Sequence, residues 1–187
     1  MSIIAAAVVG ESVSIGSDSL VSFGAGARPM GSKVVVLSPS AAVGLVGGGP
    51  WGAFRVWLQD SSNRRGLGGL DEEQTARRLA ERWLAFCRDR GHGTVGPDGA
   101  MVMPGCMLLA HVEGIWVIDE TGDLLRYDDN VAAIGSGNGF ALGAMYEAQK
   151  SSTPPLTAGA MVRRGLRAAC HFDSACGGTL HIKDVVL

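Results

Sequence analysis

"MSIIAAAVVGESVSIGSDS", residues 1–19, starts on strand-forming sequence at its third position. Residues 3–9 and 12–17 are runs rich in β-branched and small apolar side chains, split by Gly10-Glu11, which predicts an N-terminal hairpin. The second run alternates Val13 and Ile15 with Ser12 and Ser14, as a half-buried strand does. The first run is apolar throughout, yet far shorter than the about 20 residues a membrane span needs. Met1-Ser2 also lacks the basic region of a signal peptide. With no leader expected, Ser2 lies directly against the first strand.

Two further strands, residues 33–37 and 41–46, flank the turn Ser38-Pro39-Ser40. Helical sequence follows at 51–59, and Asp71 opens a second helix. Gln74 stands three residues on, completing a capping box, with Leu70 as its staple. Ala76, Leu79, Ala80, Trp83, Leu84 and Cys87 then recur at helical spacing. After the breaker-rich "GHGTVGPDG", residues 91–99, strands are expected at 106–111, 115–119, 124–127 and 131–134 as a second antiparallel set. Helices at 138–150 and 157–170 and a strand at 179–186 complete the chain. Strand blocks, each followed by a helix pair, predict an α+β fold: a four-layer α-β-β-α sandwich of two stacked antiparallel sheets flanked by helices. No linker or repeat interrupts it, so residues 1–187 are expected to form one domain.

The composition fits such layers. Of 187 residues 47% are hydrophobic, 18% are charged and 28 are glycine, a glycine share about twice the usual 7%. The net charge of −2, without a basic stripe, argues against nucleic acid as a partner. Cys87, Cys106, Cys170 and Cys176 show no CxxC spacing and read as reduced thiols of a cytoplasmic protein. Cys170, His171, Asp173 and Cys176 crowd together but lack paired metal-ligand spacing; no metal or cofactor is expected. His92, His111 and His181 have no sequence partners. Arg163, Arg164 and Arg167 read first as a solvated helix face, and Trp51 and Trp57 as anchors of helix to sheet.

Chemistry concentrates near the start. Removal of Met1, which a small second residue permits, would give Ser2 a hydroxyl and a free α-amine on one framework. Such an amine has a pKa of about 7.7–8.0 and is partly free base near neutrality, so it can take the hydroxyl proton directly or through a water. Asp18 follows the second strand and Lys33 opens the next. A lysine ammonium beside the hydroxyl lowers its pKa, and a carboxylate holds the ammonium in place; a surface salt bridge is the plainer reading. "GLVGGGPWG", residues 44–52, lacks the lysine and hydroxyl of a P-loop. Its bare backbone N–H groups suit an oxyanion hole better, where losing a donor costs roughly 10²–10³ in rate.

"SIIAAAVVGESVSIGSDSLVSFG", Lys33 and "GLVGGGPWGAF" together resemble the N-terminal half of proteasome β-type subunits, N-terminal-nucleophile hydrolases that include the bacterial HslV peptidases. "AAIGSGNGFALGAMYEA" resembles the GSG motif of that family, and "HFDSACGG" its Asp-x-x-Ser-Gly segment. The resemblance implies Ser2 as nucleophile, Asp18 and Lys33 as the charged pair, and Gly48 as oxyanion donor. Ser136 and Asp173 would hydrogen-bond the terminal amine and its water. Val21, Gly31, Val35, Val46, Gly48 and Pro50 would line the substrate site, although strand hydrophobics are more often plain core. Serine stands for the usual threonine, and Cys176 for the usual serine, whose O–H is the better donor.

The resemblance further implies an endopeptidase subunit of a self-compartmentalising homo-oligomer, with stacked hexameric or heptameric rings, unfolded polypeptide substrates and an ATP-dependent unfoldase as a candidate partner. Neither a membrane nor a cofactor enters it. The alternatives are a catalytically silent ring subunit or assembly scaffold that retains Met1, and a small-amide hydrolase of the same superfamily.

Overall fold

The computed structural model describes residues 2–23, 26–48, 50–97, 99, 101–151, 154 and 156–185. Met1, whose removal the reading requires, and Val186, the expected end of the last strand, lie outside them. In chain order the elements are β1 (Ile3–Val9), β2 (Ser12–Ser17), β3 (Leu20–Phe23), β4 (Gly26–Pro29), β5 (Val34–Ser38) and β6 (Ala41–Val46). Helices α1 (Trp51–Gln59), α2 (Ser61–Arg64) and α3 (Glu72–Asp89) follow, then β7 (Thr94–Val95), β8 (Met101–Val102), β9 (Cys106–His111), β10 (Gly114–Ile118), β11 (Leu124–Tyr127) and β12 (Val131–Gly135). Helices α4 (Asn138–Ser151) and α5 (Ala158–Phe172) precede β13 (His181–Val185).

Local signals place the helices. The Asp71 carboxylate accepts the Gln74 N–H at 2.7 Å, satisfying one of the donors that the first turn of α3 leaves open. Thr157 caps α5 in the same way, accepting the Ala160 N–H at 3.2 Å.

Two antiparallel sheets form, one ordered β12-β1-β2-β13 and the other β11-β10-β9-β6-β5. The sheets do not follow the sequence blocks. β6 pairs with β9 from Ala41 opposite His111 to Val46 opposite Cys106, and β12 crosses back to β1, with Ile3 opposite Gly135. Interior strands need partners on both edges, and for β1, β2, β6 and β9 one of the two is distant in sequence.

Three hydrophobic clusters correspond to the three interfaces of four layers. Ile4, Ala6 and Ile15 meet Ala42, Val46, Leu108 and Val117 between the sheets. Ile3, Ala5 and Ala7 turn the other way, onto Ala141, Met145, Val162 and Leu166 of α4 and α5. On the far side Val43, Leu45 and Leu109 pack against Phe54, Leu79, Trp83 and Phe86 of α1 and α3. A strand buried on both faces has no polar side to show, which is why β1 reads as an unbroken apolar run. The sandwich is therefore the expected α-β-β-α fold. Among the described residues no helix is long and apolar enough to cross a membrane.

Candidate active site

Ser2 immediately precedes β1 and is 5% exposed. Pairing of β1 with β2 sets Ile4 opposite Ser17, so Asp18, the next residue along, falls beside the start of the chain. The Asp18 carboxylate accepts the Ile3 N–H at 3.1 Å, the Leu20 N–H at 3.3 Å and the Gly177 N–H at 3.0 Å. Three N–H donors and one cation around a fully buried carboxylate compensate a charge whose desolvation would otherwise be prohibitive.

That cation is Lys33, just before β5. Its Nζ donates to Asp18 Oδ1 at 2.5 Å, to Ser2 Oγ at 2.7 Å and to the Leu20 carbonyl at 2.6 Å. Three acceptors match the three N–H bonds of an ammonium. With Lys33 1% and Asp18 0% exposed, the pair is sealed from water. Burial pulls the Lys33 pKa below the ordinary lysine value, and the Asp18 hydrogen bond and charge oppose the shift.

The backbone of Lys33 is held as firmly as its ammonium. Its N–H donates to Ser17 Oγ at 3.2 Å, its carbonyl accepts the Leu45 N–H at 3.2 Å, and Arg55 of α1 donates to the preceding Ser32 carbonyl at 2.5 Å. Ser17, Arg55 and Gly177 were not singled out from the sequence. The serines flanking Asp18 in "SIGSDS" carry the one local signal, since Ser19 Oγ likewise accepts the Thr179 N–H at 2.8 Å.

On the opposite side stand Ser136, just after β12, and the segment after α5. The GSG motif has a steric origin. Gly135 has φ +105, and a Cβ there would lie 2.0 Å from the Ser2 carbonyl oxygen; a Cβ on Gly137 would come within 2.8 Å of Ala169 and 3.0 Å of the Cys176 sulfur. Only glycine lets β12 and α4 close on the start of β1. Asp173, half-buried, accepts the Ala175 N–H at 2.9 Å and the Cys176 thiol at 3.3 Å. Hydrogen bonds from Ser136 and the Ala175 backbone hold its carboxyl below the usual range. Ser136 Oγ and Cys176 Sγ lie 3.9 Å apart. Burial, with the Asp173 hydrogen bond, pushes the Cys176 thiol up to about 12, so it stays protonated as a donor.

Gly48 follows β6 a few residues beyond the Leu45–Lys33 hydrogen bond, and nothing lies within 4 Å of where its Cβ would stand. The other expected substrate contacts come from several elements. Val21 is half-buried in β3 and Gly31 is exposed before β5. Val35 packs into the α1/α3 core and Val46 between the sheets. Pro50 is buried at the start of α1. Among the described residues no cluster of His, Cys, Asp and Glu is arranged to hold a metal. Arg164 pairs with Glu147 across α4 and α5 at 2.7 Å.

No protein-family model matches the chain. Over 66 residues it is 44% identical to the ATP-dependent protease subunit HslV of Desulfovibrio desulfuricans, a match covering 35% of this chain and 36% of that protein. The chain thus aligns over about a third of the length of the curated relative it matches. Among solved structures, Thiobacillus denitrificans BPH in complex with epoxomicin superposes with TM-score 0.75 at 22% identity, over 99% of this chain and 98% of that one. Eukaryotic HslV from Trypanosoma brucei gives 0.74 at 18%, over 99% of both chains.

Proposed function

This chain resembles the proteasome β-type N-terminal-nucleophile hydrolases, in fold throughout and to HslV in sequence over 66 residues, and from that premise we propose that it is a serine-type N-terminal-nucleophile endopeptidase subunit, active once Met1 is removed. The observation that carries the reading is the buried Lys33 ammonium, donating to Ser2 Oγ at 2.7 Å while paired with Asp18. A structural salt bridge has no need to aim its third donor at a hydroxyl on the second residue of the chain.

In this mechanism the freed α-amine of Ser2 accepts the hydroxyl proton and Oγ attacks the peptide carbonyl. The Lys33 ammonium stabilises the developing alkoxide, and the N–H of Gly48 receives the oxyanion. The amine then returns the proton to the departing peptide nitrogen. Water, deprotonated by the same amine, hydrolyses the ester and restores Ser2 Oγ. Ser136 and Asp173 hold the amine and its water. Val21, Gly31, Val35, Val46 and Pro50 are the proposed apolar walls of the substrate site.

The assembly proposed with this chemistry is a cytoplasmic homo-oligomer of stacked six- or seven-membered rings acting on unfolded polypeptides, with an ATP-dependent unfoldase as partner. Treating residues 1–187 as a single β-like domain belongs to the same proposal.

Intact mass of the protein purified from its own host tests the reading. The expected result is a chain lacking Met1, which cleaves fluorogenic peptides, gains the mass of one epoxomicin and loses both properties in Ser2→Ala. A retained Met1 with no cleavage overturns it in favour of a silent ring subunit or scaffold. Light scattering tests the rings, since a monomer contradicts a chamber.

A further inference from the structure

Beside Gly48 lies a cleft of about 430 Å³, lined by Gly47, Gly48, the start of β7, the stretch leading into β9 and Glu120. Its far wall comes from the breaker-rich segment to which the sequence reading gave no role. Two glycines make the approach possible. Gly47 and Gly105 both have φ +138; a Cβ on Gly47 would lie 2.4 Å from the Pro104 carbonyl oxygen, and one on Gly105 would lie 2.2 Å from the Val46 carbonyl oxygen. The two backbones therefore meet without side chains between them, and the cleft opens directly beside the proposed oxyanion donor.

Glu120 ties this wall to the sheet and gives the cleft its charge. Its carbonyl accepts the Met103 N–H at 2.7 Å, pinning the wall to the end of β10. Its exposed carboxylate makes no hydrogen bond or ion pair among the described residues, and it is the one ionisable group lining the cleft. The neighbouring Asp119 carboxylate is already occupied, accepting Thr121 N–H at 2.8 Å, Thr121 Oγ1–H at 2.7 Å and Asp123 N–H at 3.0 Å. Burial first, then the Glu120 and Asp119 charges, push the thiol of Cys106, which pairs with Val46, up to about 11.

We infer that this cleft is a substrate subsite selecting a lysine or arginine side chain within two residues of the scissile bond, with Glu120 as the residue that sets the preference. The subsite rests on the peptidase reading, because the peptide must lie along Gly48 for a neighbouring side chain to enter.

The experiment is a digest of a denatured, lysine- and arginine-containing protein by the Ser2-terminated enzyme, with cleavage sites mapped by mass spectrometry. Cleavage enriched beside basic residues is expected. Glu120→Gln should lower that enrichment about two- to fivefold, the scale of a partly exposed ion pair, while cleavage beside apolar residues stays unchanged. Glu120→Lys should turn it toward acidic residues, and added salt should weaken it in the wild type. Cleavage without basic enrichment, or enrichment unmoved by either variant, overturns the subsite and leaves the peptidase reading standing. Absence of cleavage in every form overturns the peptidase reading instead. In that case fluorescence anisotropy of matched peptides carrying lysine, norleucine or glutamate, added to the Ser2→Ala protein, still decides the cleft: binding no tighter for lysine overturns it.

Discussion

The two flanks of Ser2 are built to different standards. On one, Lys33 and Asp18 are 1% and 0% exposed, and every N–H of the ammonium has an acceptor at 2.7 Å or less. On the other, Ser136 is exposed and Asp173 half-buried, and the group completing the network is a thiol donating at 3.3 Å. The difference follows from what each flank must hold. A buried charge pair in a low dielectric needs full compensation, whereas the groups proposed to hold the terminal amine and its water must remain within reach of solvent. The flanks meet at one residue, because the Gly177 N–H that follows Cys176 donates to Asp18.

Breaking the charged flank should have the largest effect. Lys33→Met leaves Asp18 buried and unpaired, so unfolding in denaturant should show a loss of about 3–5 kcal/mol, and peptide cleavage should vanish. Adding Asp18→Asn should recover a good part of the stability and none of the activity. Losses that simply add in the double variant would refute coupling between the two groups.

Asp173→Asn comes next. It should leave stability nearly unchanged and lower kcat by less than the roughly 10²-fold that a positioned base itself contributes, because the role proposed for Asp173 is to orient the amine and its water, with no bond to substrate. A full loss of cleavage would move Asp173 into the same class as Lys33.

The pH profile separates the flanks without mutation. On the acid side kcat/KM should rise as the Ser2 amine loses its proton, near the amine's unperturbed value of about 7.7–8.0. On the alkaline side it should fall when Lys33 deprotonates, and because burial lowers that pKa, the fall should begin below the ordinary lysine value of about 10.4. Stability runs the other way. Between the lowered value and the ordinary one the unfolded chain binds the extra proton, so unfolding free energy should climb with pH in that window. Lys33→Met, which has no lysine to titrate, should remove the climb.

Cys176→Ser is the smallest and the most specific change. A hydroxyl donates more strongly than a thiol, and a gain on the scale of one ordinary hydrogen bond, about 0.5–1 kcal/mol, corresponds to a two- to fivefold rise in kcat. An unchanged rate would show that the sulfur already serves Asp173 as well as oxygen does.

Much of this architecture is legible in the chain. The unbroken apolar run of β1, the alternation in β2 and the Asp71 cap announce their elements, because each depends on neighbours within a few positions. The hairpin of β3 and β4 escapes such a reading: its strands are four residues each, β4 is exposed throughout, and its sequence shows neither alternation nor an Asn-Gly or Asp-Gly turn. Likewise β7 and β8, two residues each, lack the length for a period. In the site, Ser2, Asp18 and Lys33 stand out through residue type and resemblance. Arg55 does not, since a helix arginine bonded to a carbonyl 23 positions away has no local signature.

The sequence by itself determined the longer strands and helices, which of their faces are apolar and which side chains are able to do chemistry; these follow from backbone sterics and periodic patterning along the chain. Only the tertiary structure decided that β12 and β13 join β1 and β2 while β5 and β6 join β9, and so which groups surround Ser2. The reason is physical: strand edges and buried charges are satisfied by partners distant in sequence, and the choice among such partners is made by the packing of the whole sandwich.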